Sequence, residues 1–229
     1  LLIFALSIFV AGGLYDQRHS IGCLLLGNAA FQEISPSIYT DGNLAYAEVE
    51  DLLYKLDAAR DRNNNTFGDT IAQPTILITS DAQIAVTYGA NETGTIHKTI
   101  YGQCIIVGPK GHSVDVMAHE LLHAELATRI GVWATFFELP IWFDEGLALM
   151  VDYRSEYEAD LIDLPHDAIE RVKKLTSAQQ FYGQENTLEN YQAAKLAVAE
   201  IFETIDETSL YERLERIKQG ESFESVFEY

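Results

Sequence analysis

Residues 114–126 read Val-Asp-Val-Met-Ala-His-Glu-Leu-Leu-His-Ala-Glu-Leu, and His119-Glu120-Leu121-Leu122-His123 at their centre decides how the rest of the chain is read. At 3.6 residues per turn, positions four apart stand nearly above one another, so on a helix both imidazoles point at one spot. Glu120 is offset from His119 by about a quarter turn. Its carboxylate therefore sits beside that spot rather than on it, where it can take a proton from a water held by a metal ion. Ser113 is placed as the helix N-cap, and Asp115 suits the positive end of the helix dipole. Val114, Val116, Met117, Leu121, Leu122 and Leu126 give the helix apolar area to bury, and Gly131 ends it. Two histidines on a mostly buried helix need partners, and a single metal ion satisfies both.

Working outward, a metal ion that activates water takes three protein ligands and keeps one position open. The candidate for the third lies in Leu139-Pro140-Ile141-Trp142-Phe143-Asp144-Glu145-Gly146-Leu147-Ala148. Pro140 suits the first residue of a second helix, where its missing N–H costs nothing. The run that follows, through about Asp152, is apolar except for Asp144 and Glu145. An acid in such a run is expensive to bury unless it coordinates or pairs. Asp144 and Glu145 are the two acids that could serve, and Asp144 also fits an acid that favours the helix dipole. The chain between His123 and Glu145 is long enough to finish the first helix, turn, and bring a second back against it.

The two motifs together, His-Glu-Leu-Leu-His and Trp-Phe-Asp-Glu-Gly-Leu-Ala, resemble those of the gluzincin metallopeptidases. The resemblance is to the peptidase-MA-like domains and, more distantly, to the aminopeptidase N group, and it is strongest over residues 74–152. It implies one zinc ion held by His119, His123 and Glu145, with Glu120 as general base. It also implies a tyrosine on a later helix that donates to the developing oxyanion. Asn190-Tyr191-Gln192-Ala193-Ala194-Lys195-Leu196-Ala197 resembles the segment carrying that residue, so Tyr191 is the first candidate, ahead of Tyr153 and Tyr182, with His112 behind them. A phenol suits the task, being neutral at pH 7 and able to donate. Gly89-Ala90-Asn91-Glu92-Thr93 lies where aminopeptidases carry their exopeptidase motif, but the Met-Glu-Asn core of that motif is not reproduced and the run reads as a loop. Asp152 is a candidate acceptor for the outer nitrogen of one of the histidines.

A chain of 229 residues with 48% hydrophobic content suits one domain, with or without a small helical appendage. A formal charge of −20 speaks against nucleic acid as a partner, because phosphates would be repelled. Cys23 and Cys104 lack the spacing of a cysteine metal site and are either one disulfide or two buried thiols. Leu1 to Leu14 carries no charge, yet fourteen residues are short of the roughly twenty that cross a bilayer. We expect residues 1–31 to be an export signal or membrane anchor, with the remainder in the cell envelope or otherwise outside the cytoplasm.

Elsewhere, residues 42–61 show helical spacing, 61–69 with three asparagines read as a loop, and Pro74–Thr79 and Thr99–Val107 read as strands. The resemblance implies a substrate lying extended beside the second of them. Helices are expected over 165–177, 188–205, 209–219 and 221–229, with Gly220 dividing the last two. The expected fold is α+β: a small zincin-type sheet packed on the helix of the two histidines, with a mainly helical part from about residue 155. The expected activity is zinc-dependent hydrolysis of peptide or protein substrates. The alternative is a membrane-tethered binding or assembly module whose zinc is not catalytic.

Overall fold

The computed structural model describes residues 31–183 and 186–227, together with Gly22 and Leu26. The expected signal or anchor over residues 1–31 therefore lies almost wholly outside the described residues, as does Cys23. Among the described residues, no helix is long and apolar enough to cross a membrane. The chain is mixed α/β and forms two compact units. One comprises residues up to Asp51 and Gln73–His112; the other comprises Leu52–Ala72 and everything from Ser113. Helix α1 (Tyr46–Phe67) runs through the first point of division. The helical part, expected from about residue 155, begins at Ser113, because the two helices of the metal motifs pack with the C-terminal helices.

The first unit holds a five-stranded mixed sheet. Its strands are β1 (Gln32–Ser35), β2 (Ile38–Thr40), β3 (Thr75–Ile78), β4 (Gly94–Thr99) and β5 (Gly102–Val107), in the order β1-β2-β3-β5-β4. The β2–β3 and β3–β5 pairs are parallel and the two outer pairs antiparallel. Ile76–Ile78 and Cys104–Val107 are buried without interruption, the pattern of central strands covered on both faces. The strand predicted over Thr99–Val107 is β5, which starts three residues later and forms a hairpin with β4. Ile100 and Tyr101 turn the chain, and Thr99 pairs with Gly102. Gly102 takes a positive φ of 136°, a conformation closed to most other residues. Helix α2 (Ala82–Thr87) is capped by the Asp81 carboxylate, which accepts from Gln83 N. Residues 89–93 are a loop, as read, whose Glu92 and Thr93 carbonyls accept from Lys110 and Gly108. Cys104 is buried and is not a free thiol.

In the second unit, α1 continues to Phe67 through the asparagines predicted to be a loop. Tertiary partners override their weak helix propensity. Asn63 is buried and its amide donates to Ala118 O at 3.0 Å, while Arg62 reaches Asp115 at 2.6 Å and Val151 O at 2.8 Å. Helix α3 (Val114–Ile130) starts where Ser113 accepts from Val116 N and ends at Gly131, both as predicted. Glu125 on α3 is wholly buried and accepts from Ile71 N at 2.9 Å, Ala72 N at 2.7 Å and Arg129 Nε at 2.6 Å.

Helices α4 (Val132–Phe137) and α5 (Ile141–Leu149) follow, with Pro140 as the N-cap of α5, one position ahead of its predicted place. After two 3-10 turns come α6 (His166–Val172), α7 (Ala178–Tyr182), α8 (Thr187–Phe202), α9 (Leu210–Lys218) and α10 (Phe223–Phe227). The helix predicted over 165–177 is only the seven-residue α6. Helix α5 is held on two sides. Trp142 and Phe143 meet Phe223 and Phe227 of α10 at ring-centroid distances of 4.6–5.8 Å. On the other side Gly146 lies so close to α8 that a Cβ there would stand 2.3 Å from Ala194 O.

Three substitutions test this account of stability. Gly146→Ala should destabilise the fold by about 1–3 kcal/mol or more, since backbone on the far side must move. Glu125→Ala should cost about 1–3 kcal/mol by leaving two part-buried N–H groups and the Arg129 guanidinium without their acceptor. Asp57→Ala, which removes only an exposed pair with Arg60, should fall within about 0.5 kcal/mol of the parent in urea denaturation.

Candidate metal centre

The site is assembled from α3, α5, α7 and α8, all in the second unit. His119 and His123 stand one turn apart on α3, and their Nε2 atoms approach to 3.2 Å. Glu145 comes from α5, and its Oε2 lies 3.6 Å from each of those nitrogens. The three residues are buried and form a group that could hold a metal ion. The fit can be tested on the distances alone. A tetrahedral ion with bonds of about 2.0–2.1 Å separates its ligand atoms by roughly 3.3–3.4 Å. The three observed edges bracket that value, and one point lies about 2.0 Å from all three atoms, the length of a metal–nitrogen bond.

Local charge points the same way. Asp144 Oδ1 lies 2.7 Å from His123 Nδ1. The Nδ1–H therefore donates to the carboxylate, which leaves the lone pair on Nε2, facing the common point. Asp144 was read as an acid serving the helix dipole; it does lie in the first turn of α5, but its partner is His123. On His119, Nδ1 forms no hydrogen bond, and Asp152 Oδ2 stands 3.5 Å away, beyond bonding length. Asp152 is instead clamped by Arg154, with Nε 2.9 and 3.0 Å from its two oxygens and Nη2 2.5 Å from Oδ2. It is thus the weaker of the two carboxylates that face the histidines.

Burial alone would push the Glu145 carboxyl up, but His123 and His119 outweigh it and hold the group well below the usual carboxylate range. For His119, burial opposes the charged form, yet Asp152 and Glu145 leave its pKa raised. The two shifts are reciprocal: the carboxylates favour a cationic imidazole at His119, and the imidazoles favour an ionised Glu145. Glu120, 7% exposed, adds to the effect on His119.

The tyrosines divide. The Tyr182 hydroxyl, on α7, donates to Glu145 Oε1, leaving Oε2 alone to face the histidines. Tyr191, on α8, lies 6.2 Å from Tyr182, 5.9 Å from Tyr157 and 5.3 Å from Phe181 between ring centroids. Burial first, then the charge of Glu145, pushes its phenol up, so it stays protonated and able to donate. Tyr153 lies outside the cluster: it is 60% exposed, beneath the Arg62 guanidinium. His112 belongs to the sheet-bearing unit, where its ring bonds Thr79 O at 3.0 Å. Asp144 and the Glu145 hold of Tyr182 carried no sequence signal, since both depend on how α5 lies against α3 and α7.

The chain should bind one divalent ion, and cobalt(II) should give the intense visible absorption of a four-coordinate site. His119→Ala, His123→Ala and Glu145→Ala should each weaken binding at least about 100-fold, and Asp144→Asn about 10–100-fold, in competition with a chelating dye. No known protein family matches this chain and no curated protein matches it, so its role must be read from these residues.

Proposed function

We propose that the chain is a zinc-dependent peptidase of gluzincin type, with His119, His123 and Glu145 as the zinc ligands and Glu120 as the general base. The observation that carries this reading is the buried triangle of two imidazoles and one carboxylate with a second carboxylate one residue away on the same helix. Three protein ligands are the number used where a metal ion acts on water, and a structural zinc more often has four. A purely structural centre has no use for Glu120.

Zinc bound here would polarise a peptide carbonyl and lower the pKa of water. Glu120 takes the proton of the attacking water and passes it to the leaving amine. Tyr191 donates to the carbonyl oxygen as that atom gains charge. Asp144 holds the tautomer of His123, and Tyr182 keeps the second oxygen of Glu145 turned away from the ion. With this activity we propose the zincin class for the fold. We also propose work outside the cytoplasm, with a tether in the uncharged stretch Leu1–Leu14.

The test compares the zinc-loaded chain with Glu120→Gln on a diverse peptide mixture, read by mass spectrometry. The parent should cleave, and the variant should lose about 10²–10⁴-fold in rate while still binding one zinc. Tyr191→Phe should lower kcat about 10²-fold and leave zinc affinity unchanged. Absence of cleavage by a parent that holds one zinc would favour a non-catalytic binding or assembly module.

A further inference from the structure

Helix α4 is built inside out. Its sequence is Val132-Trp133-Ala134-Thr135-Phe136-Phe137, and the residue turned into the protein is Thr135, 5% exposed, whose hydroxyl bonds Gly131 O. Trp133, Phe136 and Phe137 are 66%, 61% and 75% exposed. The spacing of three and four residues puts the three rings on one face. Trp133 and Phe137 stack upon one another, 6.0 Å apart and 10° from parallel. An ordinary surface helix does the reverse, burying its aromatic stripe.

At these exposures the rings present about 400 Å² of apolar surface, in the range of the largest patch on a typical monomer, which is often functional. The metal cluster does not account for it, because about 10 Å of helix separates His123 from Ile130 before α4 begins. Area and charge choose the partner. A second copy meeting ring to ring would bury about 800 Å² in total, the level of a packing contact and below the roughly 1,200 Å² of a specific interface. The six residues carry no charge in a chain whose net charge is −20, which disfavours an anionic partner. The cationic residue nearest in sequence, Arg129, is engaged by Glu125, Asp69 O and the Tyr211 ring. Tryptophan and phenylalanine exposed on one face of a short helix suit the boundary between headgroups and acyl chains.

We propose that the Trp133, Phe136 and Phe137 face inserts into the interfacial layer of a zwitterionic phospholipid bilayer. This contact would orient the chain on a membrane, and it stands independently of the proposed peptidase activity.

The experiment uses the full chain with phosphatidylcholine vesicles and the emission of its own tryptophans. Trp142 is 1% exposed and packed against Phe143 and Phe223, so a change on adding vesicles reports Trp133. The expected result is a blue shift and quenching by lipid brominated on its acyl chains. Both should be absent in Phe136→Ser/Phe137→Ser, which retains the reporter and, being a change of exposed side chains, the parent's melting temperature. Sedimentation with vesicles while Trp133 stays unshifted and unquenched would overturn the proposal, since the attachment would then lie elsewhere. A shift that grows with chain concentration in the absence of lipid would also overturn it, in favour of a second copy. A larger shift on phosphatidylglycerol than on phosphatidylcholine vesicles would contradict the charge argument and with it the proposed lipid.

Discussion

Three ligand atoms, two imidazole nitrogens and one carboxylate oxygen, converge on a point from which water is largely excluded, and much of the helical unit is arranged to keep them there. The two Nε2 atoms lie 3.2 Å apart, close enough to share one proton as a hydrogen bond or to ligate one metal ion. Helix α3 fixes the two histidines relative to one another by its own geometry. Glu145 is fixed only by where α5 lies, and α5 is fixed by what grips it. Gly146 sets the closeness of α8, and the aromatic pair Trp142 and Phe143 sets the closeness of α10. The Glu-Gly pair of the motif thus joins a ligand to the residue that lets its helix approach a neighbour.

Around that point the remaining groups have separate tasks. Asp144 orders the His123 ring, and Tyr182 occupies the oxygen of Glu145 that does not face the histidines. Arg154 neutralises Asp152 nearby. The surplus of carboxylate over basic groups close to the histidines would be costly in a buried setting without a metal or protons to offset it. The group could hold a metal ion that offsets it. Folding and metal affinity are therefore expected to be linked, as they are wherever ligands are brought together by tertiary structure.

Much of this was legible in the chain, and what was not has physical reasons. The i, i+4 spacing of His119 and His123, the Ser113 cap and the Gly131 stop are local features, and the structure places them as the periodicity predicts. An acid within an apolar run must find a partner, which marked Asp144 and Glu145 alike, and the resemblance of the Glu-Gly pair singled out Glu145. Asp144 was misread because local sequence offers the helix dipole as sufficient cause, whereas its partner lies on another helix. The asparagine run 63–65 looked like a loop for the same reason: its helix is stabilised by Ala118 O, a group no local pattern reveals. Strand β4 was missed because its alternating polar residues and half-burial give an edge strand little hydrophobic signal. Tyr191 was named by resemblance alone. The structure adds to it a second phenol, Tyr182, in direct contact with Glu145.

The most direct test of the centre is X-ray absorption at the zinc edge of the full chain loaded with one equivalent of the ion. The account predicts a first shell of about four light donors near 2.0 Å with the multiple-scattering signature of two imidazoles, reduced to one imidazole in His123→Ala. A shell of oxygens with no imidazole signature, or one unchanged by that substitution, would contradict it.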